Sequence, residues 1–156
     1  MKHRIGFVII FAVIALFAST AFRGTDIARL APVEVIWLSE REGEIFLETD
    51  TGDMGRGQSV QGALEDMIKT VPGTIFLDTA DYLVVKEGNE HLIGQMFSLL
   101  RPSCMICKAE EKPDVKAAAK FLSAHEPDLT LRRYQVEQCE IPVLRERDGR
   151  FFWGAK

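Results

Sequence analysis

Residues that bind metals or carry redox chemistry are scarce in this 156-residue chain, which has three histidines and three cysteines. His3, His91 and His125 are scattered, and no pair of them has the spacing of zinc ligands. The cysteines, Cys104, Cys107 and Cys139, are odd in number, so at least one thiol is free or paired to another chain. Basic charge is short as well: from Phe22 onward 17 Lys and Arg face 23 Asp and Glu, a net of −6. That balance argues against nucleic acid, whose binders need a basic footprint, and gives no reason to expect adhesion to anionic headgroups. Internal repeats and low-complexity tracts are also missing.

Long apolar runs number one. Ile5 to Phe22 holds 18 uncharged residues, and a helix of that length reaches roughly 27 Å, just enough to span hydrocarbon. The basic start (Lys2, His3, Arg4) and the small triplet Ser19-Thr20-Ala21 also fit a cleavable signal peptide, with cleavage after Ala21, but the stretch is longer than a usual signal h-region, which favours an uncleaved anchor. Either way residues 1–22 are an address rather than a core helix. The charges flanking the segment favour an outward, extracytoplasmic domain. Residues 23–32 then read as a charged stalk, and 33–156 as one domain of ordinary size.

Within that domain, Val33 to Leu38 and Glu44 to Thr49 are β-branched and aromatic runs joined by the polar Ser39 to Gly43, which predicts a β-hairpin. Asp50 to Gly57 carries three glycines and reads as a loop. Val60, Ala63, Leu64, Met67, Ile68 and Val71 recur at helical spacing behind Ser59, an N-cap residue. Thr74 to Leu77 and Tyr82 to Val85 form one bent strand or two short ones. A second helix is expected from about Asn89 to Leu100, a strand from Ser103 to Ala109, and a third helix from near Pro113. Ile141 to Arg145 and Arg150 to Trp153, around Asp148-Gly149, predict a second hairpin. The fold class is therefore α/β: a mixed sheet with about three packed amphipathic helices.

Few motifs could carry chemistry. Cys104-Met105-Ile106-Cys107 has the spacing of a redox pair, which works where both thiols share the first turn of a helix. On a strand, residues three apart point to opposite faces and cannot share a disulfide or a metal. Asp50-Thr51-Gly52 matches the short motif of aspartic proteases, with Asp78-Thr79-Ala80 as a degenerate echo. A separation of 28 residues is too short for two lobes to supply one carboxylate each. Gly52, Gly55 and Gly57 precede a helix as phosphate-binding loops do, but Gln58-Ser59 stands where a P-loop needs Lys-Ser or Lys-Thr. Asp50 and Asp53 lack the remaining ligands of a calcium loop. No catalytic, cofactor or metal site is expected. Phe151-Phe152-Trp153 puts an aromatic on both faces of a strand, buried by the sheet or offered to a partner or a membrane interface.

The order of these elements resembles the N-terminal domain of the spore-germination Ger(x)C family, the C subunits of nutrient germinant receptors. Four stretches carry the resemblance: Asp26 to Ile36, Gly57 to Leu64, Thr74 to Leu77 with Tyr82 to Val85, and Leu99 to Arg101 leading to Cys104 to Ala109. Together they cover roughly Asp26 to Leu122. Family members are typically lipoproteins with a cysteine directly after the signal peptide, whereas the first cysteine here is Cys104, so lipid attachment does not carry over. The two later domains of the family have no counterpart in these residues. What the resemblance implies is a non-enzymatic, membrane-held domain that contacts other membrane or envelope proteins. The alternatives from other classes are a thiol-disulfide protein using Cys104 and Cys107, and an aspartic-type protease using Asp50.

Overall fold

The computed structural model describes residues 30–71 and 73–154. The apolar segment Ile5 to Phe22 and most of the expected stalk lie outside them. The stalk gives way before Pro32, because Leu30–Pro32 form strand β1. Strands β2 (Val35–Arg41), β3 (Glu44–Thr49), β4 (Met54–Gly57), β6 (Tyr82–Lys86) and β7 (Met105–Ala109) build one five-stranded sheet in the order β4-β3-β2-β6-β7. The β4-β3-β2 side is antiparallel, and β2, β6 and β7 run parallel. The fold is thus mixed α/β, and no described helix is long and apolar enough to cross a membrane.

Period-two alternation sends side chains to two cores, one on each face of the same strands. Ile36 and Leu38 of β2, Leu83 and Val85 of β6, and Ile106 of β7 face helices α1 (Val60–Thr70) and α2 (Ile93–Met96). Val35, Trp37, Tyr82, Val84 and Cys107 face helix α3 (Val115–Ala124) on the other side. Helix α1 begins at Ser59, whose hydroxyl accepts from Gly62 N as the sequence predicts. Asp114 caps α3 in the same way, accepting from Ala117 N at 3.0 Å. Each large aliphatic side chain fully withdrawn from water in these cores contributes about 1.5–3 kcal/mol.

Several boundaries differ from expectation. The first hairpin closes on Glu42-Gly43 alone, both at positive φ (53° and 79°), so the strands extend through residues expected in its connection. Met54–Gly57, expected within a loop, is edge strand β4. Its glycines are required by packing: a Cβ on Gly55 would lie 2.0 Å from the Ala63 carbonyl oxygen, and one on Gly57 2.6 Å from Ala63 N. Helix α1 therefore rests directly on the β4 backbone.

The apolar double run resolves into two strands in different sheets. β5 (Thr74–Phe76) pairs in parallel with β1, and a 3₁₀ turn, Leu77–Thr79, leads on to β6. The second helix is shorter than its apolar spacing suggests, a 3₁₀ turn at Glu90–Leu92 running into α2. A further helix, α4 (Leu131–Glu137), is charged and exposed over most of its length and gave no periodic signal. The chain closes with the hairpin β8 (Leu144–Arg147) and β9 (Arg150–Trp153).

Candidate functional site

Strand β7 decides the geometry of the C-x-x-C. Cys104 sits just before its first residue and packs into the α1 core, while Cys107 packs into the α3 core across the sheet. Both are buried, and neither is in a disulfide. Burial pushes the Cys104 thiol up to about 12, the opposing pull of Arg101 being smaller, and burial raises Cys107 as well. Protonated sulfurs on opposite faces can neither bond to one another nor attack a disulfide. Cys139, half-buried beyond α4, completes the set of free thiols.

The Asp-Thr-Gly triplet is a fastening. One Asp50 carboxylate oxygen accepts from Glu34 N and Val35 N, both at 3.0 Å, and so ties the β3–β4 turn to the start of β2. Thr49, Thr51 and Asp53 close the same turn, with Thr51 donating to the Asp53 carboxylate at 2.6 Å. The echo Asp78 lies exposed in the 3₁₀ turn after β5. The histidines are separate too. His91 meets Glu40 at 3.0 Å, and His125 stacks on Phe121 at 4.7 Å between ring centroids. Among the described residues no group of three or more His, Cys, Asp or Glu could hold a metal ion.

Charge is locally neutralised where the parallel strands end. Lys108 Nζ lies 2.9 Å from Glu87 and 3.3 Å from Glu90, and the hydrogen bond to Glu87 raises its pKa above the usual lysine value. At the opposite ends of the strands, burial, then Glu126, raises the Tyr82 hydroxyl. Both are closed, satisfied arrangements.

The terminal hairpin is different because, among the described residues, its Arg150 has no ion-pair partner and its Phe152 is left exposed. The turn Asp148-Gly149 has positive φ at both positions, 54° and 70°, the two-residue hairpin geometry. It sets Arg147 opposite Arg150, Glu146 opposite Phe151, Arg145 opposite Phe152 and Leu144 opposite Trp153. Leu144, Phe151 and Trp153 face the α3 core, where both aromatic rings lie 5.8 Å from Phe121. The other face presents Arg145, Arg147, Arg150 and Phe152, all exposed. Beside the hairpin, against the Ala109 to Pro113 loop, lies an open cleft of about 600 Å³.

The aromatic run is legible in the sequence, whereas the arginines on its outer face are not. Asp148-Gly149 was the available signal: taken as a two-residue turn, it fixes which side chains share a face. A scan of family models gave no match to the chain, and neither the curated proteins nor the solved structures gave a significant one.

Proposed function

We propose that this chain is a non-enzymatic interaction domain, held at the extracytoplasmic face of a membrane by Ile5 to Phe22, that contacts other membrane or envelope proteins. The observation that carries the reading is the segment itself: 18 uncharged residues placed eight positions before the first described strand. The arrangement of titratable groups supports it. The thiols are split between two cores, the Asp50 carboxylate is engaged with backbone, and the histidines are apart. A narrower version, a component of a germinant-receptor type of assembly, rests on the four stretches that resemble the Ger(x)C family.

Alkaline carbonate extraction of membranes tests the anchor. The full chain should stay with the membrane pellet, and a chain lacking residues 1–22 should not. A membrane-impermeant maleimide added to intact cells should label Cys139, the half-exposed thiol. Release of the full chain by carbonate, with a new amino terminus at Phe22, would make Ala21 a cleavage site and the domain a secreted one. The narrower version predicts expression in sporulating cells, and abundance in vegetative cells with absence from spores removes it.

A further inference from the structure

The outer face of the β8–β9 hairpin is built against its own stability. Arg147 and Arg150 are directly opposed in register, and like charges so placed repel. Their neighbours do little to offset this. Asp148 reaches Arg147 only at 3.9 Å with both side chains more than four-fifths exposed, and Arg150 has no ion-pair partner among the described residues. Arg145 meets Glu110 at 3.3 Å, again in solvent, where such a pair is weak. Among these cations stands Phe152, 42% exposed although its neighbours on the strand pack against α3. Arginine with a central aromatic is the composition of a protein-binding hot spot. The rest of the chain is acidic, which makes this patch stand out in sign.

We infer that this face, Arg145, Arg147, Arg150 and Phe152, docks an extended acidic segment of another protein that also carries large apolar side chains. Charge complementarity sets the sign of the partner, since an anion between Arg147 and Arg150 turns their repulsion into a shared attraction. Phe152 sets the apolar requirement. An extended partner fits because, among the described residues, β9 pairs with β8 alone and has no strand on its second edge.

The choice of a protein over a lipid surface rests on where the hairpin lies and on the charge of the domain. The chain enters β2 at the amino ends of the parallel strands. The stretch before β8 bridges β7 in parallel at Lys108 and Val143, so the hairpin projects from the far, carboxyl ends. From Phe22 onward the chain also carries a net charge of −6, which disfavours approach of the whole domain to anionic headgroups and favours a protein partner.

The test uses the full chain in nanodiscs of zwitterionic phosphatidylcholine and a labelled twelve-residue peptide alternating Glu with Leu, read by fluorescence anisotropy. Comparison peptides alternate Glu with Ser, and Lys with Leu. The Glu-Leu peptide should bind, and more weakly as salt rises. Arg147→Glu, Arg150→Glu and Phe152→Ala should each weaken it by about tenfold. Arg147→Lys should keep most of the binding, and Lys69→Glu on α1 all of it. Arg150→Glu should unfold at the same temperature as the parent or about 1 °C above it, an outcome that a purely structural role for Arg150 does not give.

Equal binding of the three peptides, or indifference to the hairpin variants, overturns the assignment while leaving membrane retention to be judged by carbonate extraction. Tighter binding to phosphatidylglycerol vesicles than to the peptide overturns it in favour of lipid. Peptide binding that persists in a chain carbonate releases supports the hairpin and removes the tether.

Discussion

At the scale of single residues, the cysteines show how backbone geometry overrides a motif. Three-residue spacing brings two sulfurs together on a helix and separates them on a strand, and here it assigns Cys104 and Cys107 to different cores. One fast-reacting thiol per native chain, Cys139, is therefore expected with a thiol reagent at neutral pH, rising to three after denaturation. Two fast thiols in the native chain would contradict the burial of Cys104 and Cys107.

The same burial makes stability depend on pH in one direction. Because the folded chain holds the Cys104 proton up to about pH 12, its contribution is complete below the ordinary thiol range. The unfolded chain ionises first, so the contribution is lost as pH climbs from about 9 towards 12. Replacing Cys104 with Ala should flatten that alkaline decline in urea-unfolding free energies. An unchanged slope would mean the thiol ionises as readily when folded.

At the scale of elements, legibility in the sequence followed how strongly each element's own pattern coincides with its surroundings. The first hairpin and α1 were readable because β-branched and aromatic runs mark β2 and β3, because the helical spacing of α1 follows its buried side, and because Ser59 supplies the cap expected of it. The β4 strand was not, since Met-Gly-Arg-Gly has none of the β-branched residues that mark strands. Its glycines answer to the helix lying on them, a contact between segments that no local pattern records. Gly55→Ala tests this directly. Adding one methyl where the Ala63 carbonyl already sits should lower the unfolding free energy by about 1–3 kcal/mol, whereas Gly43→Asn, in a turn that accepts positive φ, should change it far less. A Gly55→Ala chain as stable as the parent would show that α1 can lift without cost. For α4, Arg132, Arg133 and Glu137 mask the single buried anchor, Leu131.

The candidate site was half legible for the same reason. Phe151 to Trp153 announced themselves by type, but the arginine face appears only once the register of the turn is known. The apparent catalytic signals, by contrast, were all legible as residues and dissolved as geometry. Asp50 is a brace between β2 and β3, and the three glycines of its region serve a turn and a helix seat.

At the scale of the whole molecule, the two cores lie on opposite faces of the same three parallel strands, so neither can empty without exposing the backs of the residues that build the other. A single cooperative unfolding transition is expected, with the fluorescence of Trp37 and Trp153, both of which report the α3 core, coinciding with far-UV circular dichroism. Transitions separated in denaturant would show that α3 and the terminal hairpin form a unit of their own.

The borders of the sheet have a consequence for life in a crowd. On one side Asp66 of α1 accepts the Arg56 N–H that β4 would otherwise offer to a neighbour. On the other, the N–H groups of Ile106 and Lys108 are taken by the carbonyls of Leu129 and Pro142. At these two borders a second copy finds little backbone to share, so side-by-side packing there is not converted into a growing filament. Association along those two borders must be chosen by side chains, while β9 keeps an edge that is unpaired among the described residues.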